Sequence, residues 1–275
     1  MTIADDDTGS TGAAATAGVR AVSRALSVLA LFSRGESQLS IAEISKGTGL
    51  PRTTALRLVE TLVEEQMLFG AAGGKFRPGV RLLNWGALAD VAWSLPAATT
   101  ARLQLLAKDT GETVSLYVRS GLDRVCVGQA SGPQTLRHVV QVGDTLPLWG
   151  GAAALVLLGL ETDEVRGPLL GEIEKQTNGT VTAASLEQRV LDSVTAGFAV
   201  THGDREKGNS GVAVPVIRED NPRRVATGAA PARATVLAVG GPTERITADR
   251  IPDIVDAARE CAFDILRTGL PPAMR

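Results

Sequence analysis

The sequence predicts an α+β fold in two domains, the first mostly helical and the second built on a sheet with helices around it. Apolar residues recur at helical spacing through most of residues 19–110, whereas valine-rich segments with a period of two begin at Thr113. A chain of 275 residues is also long enough for two domains of ordinary size. We therefore predict a disordered tail at 1–18, a first domain at 19–79, a linker helix at 80–95 and a second domain at 96–270.

Charge is distributed unevenly along the chain. The net charge is −2, with 44% hydrophobic and 21% charged residues, which is typical of a globular protein. Residues 19–81 contain nine basic and five acidic residues, a local charge of +4 that leaves −6 for the remainder. This balance argues against a protein that binds nucleic acid non-specifically through its whole surface. It favours a basic first domain followed by an acidic remainder of the chain.

The cysteines and the lengths of the apolar segments indicate the cellular location expected for the protein. Cys126 and Cys261 are far apart and lack metal-ligand spacing, so we expect both to be reduced and buried. No segment approaches the roughly 18 apolar residues of a membrane-spanning helix, and the N-terminus does not resemble a signal peptide. We expect a soluble, cytoplasmic protein with no membrane partner, no metal and no cofactor.

The first domain is predicted to begin with two helices and a sharp turn. Residues 19–32 show one apolar stripe at helical spacing. Ser40 and Glu43 have the spacing of a capping box, in which each side chain accepts a backbone N–H at the start of a helix. Gly47-Thr48-Gly49 then tolerates the positive φ that a turn requires. The second helix should therefore be short and end at these glycines.

A third helix follows the turn, and its exposed face indicates DNA binding. Pro51 suits a first helical position, and the apolar residues behind it are Ala55, Leu58, Val59 and Leu62. Strands at 67–69 and 75–77, joined through Gly73-Gly74, would form a two-stranded wing. A recognition helix and a wing present side chains to base edges and phosphates. The predicted DNA contacts are Ser40, Arg52, Thr53, Thr54, Arg57, Lys75 and Arg77.

Two other interpretations of this domain are considered. It could be an ordinary surface pair of helices whose arginines face solvent, or a module that binds another protein. The apolar helix before the pair and the short hairpin after it argue against the first. The second does not explain the local charge of +4 or the single face shared by the polar side chains of the third helix. The linker helix, predicted over residues 81–93, is apolar on more than one face; packing against its own domain and a dimer interface are equally favoured.

The second domain is predicted to contain a mixed sheet of about six strands. A helix at 96–110 should end at Gly111, and a polar connection with a short helix should cover 162–182. Ser185 and Gln188 suggest a capped helix as far as Ala196. The predicted strands are 113–119, 124–129, 136–142, 198–202, 211–217 and 234–240. Further helices are predicted at 150–159 and 247–266, with a long Pro/Gly/Arg-rich turn at 218–233.

The start of the apolar helix at 150–159 admits two interpretations. Gly150, Gly151 and Ala152 leave the N-terminal amides uncovered, as in helix ends that bind anions. Small residues at this position are equally typical of close packing between a helix and a sheet. From the residues alone, close packing is favoured.

The chain resembles the IclR-type transcriptional regulators over most of its length, from Val19 to about Leu266. The segments that carry the resemblance are VRAVSRALSVLALF, GLPRTTALRLVETL, GKFRPGVRLLNWG, GETVSLYV, GDTLPLWGGAAALVLLG and GFAVTHGDREKGNSGVAVPV. The resemblance implies a winged helix-turn-helix followed by a GAF-like or PAS-like effector-binding domain. It also implies a dimer or dimer of dimers that binds palindromic operators on double-stranded DNA and represses or activates according to whether a small molecule, commonly a carboxylate, is bound.

The resemblance places the effector pocket between the start of the GGAAALV helix and the strand after the GDREKGNSG loop. This reverses the preference for close packing and implies backbone amides from Gly150, Gly151 and Ala152. The implied effector-binding residues are Trp149, Gly150, Gly151, Ala152, Asp204, Ser210, Gly211 and Val212. Many members have cysteine in place of Gly211 and histidine in place of Trp149, so the pocket of this chain should be smaller or more apolar and should lack one polar contact.

A serine hydrolase is the alternative among enzymes. Gly208-Asn209-Ser210-Gly211 resembles a glycine-flanked nucleophile, which His138 or His202 with Asp144 or Asp204 could complete as a triad. Such a short string arises easily by chance, and geometry rather than spelling defines a triad. We therefore expect no enzymatic activity.

Overall fold

The computed structural model describes residues 19–33, 35–217, 234–271 and 273, which form two compact units. One unit lies within residues 1–90 and the other within residues 91–275. The predicted tail at 1–18 and the turn at 218–233 lie outside the described residues. None of the helices in the described part of the chain is long and apolar enough to cross a membrane.

The first unit contains a helix-turn-helix and a small sheet. Its helices are α1 (Arg20–Leu29), α2 (Ile41–Thr48), α3 (Arg52–Glu64) and the beginning of α4 (Arg81–Trp93). Its strands are β1 (Leu39–Ser40), β2 (Leu68–Ala71) and β3 (Lys75–Pro78), which pair in the order β1-β3-β2. The predicted wing is thus present, with a third strand that the sequence analysis omits.

Local sequence explains the turn between α2 and α3. Glu43 N donates to Ser40 Oγ at 3.3 Å and Ser40 N donates to Glu43 Oε2 at 2.7 Å, so the predicted capping box is confirmed. Gly49 ends α2 with a φ of 67°, a left-handed conformation that glycine adopts without strain. Pro51 is the residue before α3 rather than its first residue. The core is formed by Val28, Leu39, Ile44, Ala55, Val59, Leu62 and Leu68.

The second unit is one antiparallel sheet between helices. Its helices are α5 (Ala97–Thr110), α6 (Ala152–Gly159), α7 (Asp163–Gln176), α8 (Ala183–Ala196) and α9 (Ile251–Thr268), preceded by the end of α4. Its strands are β4 (Thr113–Ser120), β5 (Asp123–Ala130), β6 (Thr145–Pro147), β7 (Ala199–His202), β8 (Asn209–Pro215) and β9 (Thr235–Pro242). They pair in the order β6-β5-β4-β9-β8-β7, and every pair is antiparallel.

The two faces of this sheet form separate cores. Because side chains alternate along a strand, Leu116 and Val118 pack with α5 and α9, while Tyr117 packs on the α6 side. Cys126 and Cys261 are buried thiols, one in each core. The α6 face carries the cavity described below.

Several predictions for this unit are wrong in detail. The sheet is antiparallel rather than mixed, and residues 136–142 form no strand because the edge of β5 pairs with Thr145–Pro147 instead. The predicted short helix within 162–182 is the full helix α7, which tolerates Pro168. The cap of α8 is Thr182, whose side chain accepts from Ser185 N.

Candidate functional site

The exposed face of α3 is the candidate DNA-reading surface of the first unit. Arg52, Thr53 and Arg57 are exposed and Thr54 is half-buried, while the opposite face of α3 is buried in the core. Among the described residues, neither guanidinium has a hydrogen-bond acceptor or carboxylate partner. A helix face with unpaired cations and hydroxyls is suited to phosphates and base edges.

The three other predicted DNA contacts lie on β1 and β3, and they differ in whether their side chains already have partners. The hydroxyl of Ser40 accepts the amide of Glu43, so it is engaged in the capping box. Lys75 Nζ lies 4.0 Å from Glu43 Oε2, and the Ser40 hydrogen bonds, followed by Lys75, lower the pKa of Glu43 below its usual value. Arg77 is exposed on β3, opposite Phe69 of β2. Arg77 is therefore the freest cation of the wing.

A cavity of about 70 Å³ lies between the start of α6 and the sheet of the second unit. Five of the predicted effector residues line it: Gly151, Ala152, Asp204, Ser210 and Gly211. Strands β4, β5 and β9 supply the floor, the loop before β8 supplies Arg205 and Glu206, and Asn209 begins β8. The cavity thus occupies the place that the sequence analysis predicted for a ligand.

The other three predicted effector residues lie outside the lining of this cavity. Val212 is fully buried on the opposite face of β8, because neighbouring side chains on a strand alternate. Trp149 is half-buried against the second core. The carbonyl oxygen of Gly150 accepts from Arg124 Nη1 at 3.0 Å, so this residue supports the cavity wall.

The amides at the start of α6 are partly occupied by the chain itself. Gly151 N donates to Asp204 Oδ2 at 3.3 Å, and Asp204 also pairs with Arg189. The amides of Ala152 and Ala153, both in the lining, have no acceptor among the described residues. Gly151 has a φ of 96°, a conformation that favours glycine. Of the three amides predicted to bind an anion, the amide of Gly151 is therefore already occupied by Asp204.

Arg124 of β5 lines the cavity but is not among the residues predicted from the sequence. Its side chain is 4% exposed, and burial lowers its pKa to about 10. Its guanidinium carbon lies 5.5 Å from the centre of the Tyr117 ring. In β5 it lies two residues before Cys126, which is buried on the same face of the sheet, whereas a register shift places Ala130 in the opposite core. This short alternation does not distinguish Arg124 from a solvent-facing arginine in the sequence.

Polar side chains complete the cavity wall. Ser210 Oγ lies 2.9 Å from His202 Nδ1 and 2.8 Å from Thr243 Oγ1. Asn209 Nδ2 lies 2.7 Å from His138 Nδ1, and burial lowers the pKa of His138 below its usual 6.5. Burial likewise raises the pKa of Tyr117. These groups favour a ligand with hydrogen-bonding atoms.

The members of the alternative hydrolase triad are dispersed among other contacts. Ser210 does meet His202, but in the described structure no carboxylate contacts the His202 ring. Asp144 accepts from Gln141 N, and Asp204 is held by Arg189. A serine–histidine pair without a group that orients the imidazole does not form the relay of a serine hydrolase.

Two family models match most of the chain. Residues 92–267 match the C-terminal domain of the bacterial transcriptional regulator IclR, and residues 21–68 match the IclR helix-turn-helix domain. The chain is 27% identical over 251 residues to the HTH-type transcriptional regulator KipR of Bacillus subtilis, covering 90% of this chain and 96% of that one. It is 26% identical over 256 residues to the HTH-type transcriptional repressor AllR of Escherichia coli, covering 90% and 89%.

Solved structures show the same architecture. An IclR-family regulator from Rhodococcus sp. is 34% identical, with a TM-score of 0.58 and coverage of 98% of this chain and 100% of that chain. One from Brucella abortus, 24% identical, has a TM-score of 0.75 with coverage of 91% and 93%. An IclR homologue from Microbacterium hydrocarbonoxydans, complexed with 4-hydroxybenzoate, is 21% identical, with a TM-score of 0.66 and coverage of 90% and 98%. The α+β fold with a winged helix-turn-helix is thereby confirmed.

Proposed function

The chain belongs to the IclR family of bacterial transcriptional regulators, and we propose that it binds palindromic operators with an affinity set by a small carboxylate. Its first unit is the DNA-binding helix-turn-helix domain and its second unit is the ligand-binding domain of the family. The observation that carries the proposal is the exposed face of α3, where Arg52 and Arg57 have no partner among the described residues.

DNA contact through α3 and the wing is supported by charge and by geometry. The +4 charge of residues 19–81 attracts phosphates to the first unit of a chain whose net charge is −2. The start of α3 presents Arg52 and Thr53, and a recognition helix reads the major groove with its N-terminal residues. Arg77 of the wing would contact the flanking phosphates.

A carboxylate ligand is supported by the donors of the cavity. Arg124, the two open amides of α6 and the hydroxyls of the wall all favour an anion with hydrogen-bonding atoms. The homologue from Microbacterium hydrocarbonoxydans, whose fold is shared, is complexed with a carboxylate, 4-hydroxybenzoate. We propose that this chain takes an acid in its own cavity.

Self-association is supported by the exposed apolar surface of α4. No residue of this helix is buried, and four large apolar residues are more than half exposed: Leu83, Trp85, Leu88 and Val91. Large apolar side chains exposed on one helix in this number are typical of an interaction site. We propose that α4 joins two copies, as a dimer or within a dimer of dimers, so that two α3 helices meet successive major-groove faces about 34 Å apart.

Regulation would follow from linkage between the ligand and the arrangement of the two copies. A ligand changes operator affinity only if it binds one arrangement better than the other. A change in the packing around Trp85 and Leu88 would alter the spacing of the recognition helices. The protein would act in the cytoplasm, on the chromosome, and not as an enzyme.

The test is a selection of genomic fragments by the purified protein, followed by sequencing of what is retained at moderate salt. We expect one or a few inverted repeats, bound with an affinity that falls steeply as salt rises, by a log–log slope of about −0.9 for each phosphate contacted. The genes beside those sites then supply candidate acids for titration. Retention of no sequence above background would contradict the proposed function.

A further inference from the structure

Arg124 faces the ligand cavity with one edge of its guanidinium unused. Nη1 donates to the carbonyl oxygens of Pro147 and Gly150. Nε is buried without an acceptor among the described residues, and Nη2 has no hydrogen-bond partner among them either. Nε–H and Nη2–H point in parallel from the same edge of the planar group, so Arg124 presents two adjacent free donors.

The charge of Arg124 also has no direct ion-pair partner in the described chain, although Asp123 attracts it from a longer distance. Within the described ranges no carboxylate lies within 4.0 Å of its guanidinium. The carboxylate that shares the cavity, Asp204, is held by Arg189 and by the amide of Gly151. Burial lowers the pKa of Arg124 to about 10, so the group still carries its proton at neutral pH. A buried cation without an ion-pair partner is unfavourable, and an anion in the cavity would offset that cost.

We propose that Arg124 binds the carboxylate of a small acid through Nε and Nη2, an inference that rests on the ligand-regulated function proposed above. Two parallel N–H donors match the two oxygens of a carboxylate, and this bidentate geometry is specific to arginine. Arg124 thereby becomes the residue that selects acids over their neutral analogues.

Gly151 keeps Nη2 uncovered, and the cavity beside it has room for a small ligand. A Cβ added at Gly151 would lie 3.0 Å from Nη2, so glycine is the residue that keeps the second donor uncovered. The cavity measures about 70 Å³. One water requires about 10–15 Å³ of such volume, so the cavity has room for the carboxylate of a ligand and a few further atoms.

The experiment is calorimetric titration of the full chain with formate, acetate, propionate, butyrate and benzoate, and with acetamide and propionamide as neutral analogues. Wild type is compared with Arg124→Gln, which removes the charge. It is also compared with Arg124→Lys, which keeps the charge but lacks the two parallel N–H donors of a guanidinium. Arg119→Gln is the matched control, because Arg119 is the cross-strand partner of Arg124 but pairs with Glu161 at 2.6 Å. Circular dichroism and retention of genomic DNA fragments are measured on the same preparations.

We expect at least one small acid to bind wild type and Arg119→Gln, with the amides binding no better than buffer. Both Arg124 variants should lose about 10- to 100-fold in acid affinity, as charge-assisted hydrogen bonds require. Binding to Arg124→Gln as tight as to wild type, equal binding of acetamide and acetate, or no binding of any acid would each overturn the inference. If wild type still selects DNA sites, the proposed regulator survives that outcome; if it selects none, the regulator function itself has failed.

Discussion

Arg57 is the residue whose contribution to DNA binding can be isolated most cleanly. It is exposed on α3 and its guanidinium has no partner among the described residues, so its removal leaves no buried group unpaired. We expect Arg57→Ala to weaken operator binding by about 1–3 kcal/mol if it reads a base. If it contacts a phosphate, the salt slope should fall by about 0.9. Fluorescence anisotropy on the selected operator at several salt concentrations measures both.

The matched control for Arg57 is Lys108→Ala. Lys108 is an exposed cation on α5 of the second unit, so its removal changes the net charge equally without touching α3. Its operator affinity and salt slope should equal those of wild type. Unchanged affinity in Arg57→Ala would remove that residue from the reading face, and a similar loss in both variants would indicate a general charge effect.

His138 should make the second unit sensitive to acid. An amide nitrogen donates, so the 2.7 Å contact from Asn209 Nδ2 makes His138 Nδ1 an acceptor on a neutral ring. Burial, followed by the charge of Arg205, lowers the pKa of His138 from its usual 6.5. As the pH falls below about 6.5, the unfolded state takes up the proton first. The stability contributed by the neutral ring is therefore complete above that pH and is lost below it.

The measurement is urea unfolding at pH 7.5 and 5.5, in wild type and in His138→Gln. We expect the free energy of unfolding to fall between these pH values more in wild type than in His138→Gln, which keeps a polar side chain but cannot titrate. An identical pH dependence in wild type and His138→Gln would show that this ring does not control the acid sensitivity.

At the scale of elements, the closure of the wing depends on one close approach of two backbone segments. Gly79 N donates to Met67 O at 2.7 Å, and a Cβ added at Gly79 would lie 2.1 Å from the carbonyl oxygen of Gln66. Gly79→Ala must therefore displace backbone, at a cost of about 1–3 kcal/mol or more. Gly70→Ala is the matched control on β2, since an added Cβ meets nothing within 4 Å there.

Thermal unfolding and operator binding test this difference between the two glycines. We expect Gly79→Ala to unfold at lower temperature and to bind DNA more weakly, because β3 and its Arg77 are displaced. Gly70→Ala should match wild type in both measurements. Equal stability of the two variants would mean that the segment after β3 moves without cost.

Some elements are specified by residues close to them in the sequence. A capping box and a left-handed glycine lie within a few residues of the helix they bound, which is why α2 and α3 could be placed. β1 and β6 could not, because each needs a distant partner, Phe76 for β1 and Asp123 for β6. The apolar residues of 136–142 are mostly exposed, although their pattern is typical of a strand.

The candidate site was predictable in position but not in chemistry. The resemblance and the small residues around Gly151 indicated where the cavity lies. Arg124 escaped notice because a single arginine in a valine-rich strand has no local signal of its own. Its burial depends on the pairing of β5 between β4 and β6, a property of the assembled sheet. The free edge of its guanidinium depends in turn on two carbonyls from the segment before α6.

At the scale of the whole molecule, α4 is an apolar helix whose large side chains are exposed to solvent. Trp85 is 55% exposed and Leu88 57% exposed, on a helix with no buried residue. Exposing such surface to water costs free energy that association would recover, at about 25 cal/mol for each Å² buried. The exposed apolar surface of α4 therefore favours self-association. The DNA-binding domains of two copies would then be joined in one molecule.

A self-associated protein should bind a full palindrome more tightly than a half-operator, which a monomer would not do. We expect the double variant Trp85→Ser and Leu88→Ser to sediment as a smaller species than wild type. Its affinity for an isolated half-operator should be unchanged, whereas its affinity for the full palindrome should fall, because joining two half-sites in one protein raises avidity about 10²- to 10⁴-fold. Leu136→Ser is the control, since Leu136 is 72% exposed in the second unit and lies outside α4. A double variant that keeps both its sedimentation and its preference for the full palindrome would show that the two copies are joined elsewhere, and the spacing of the recognition helices would then have to be set by another surface.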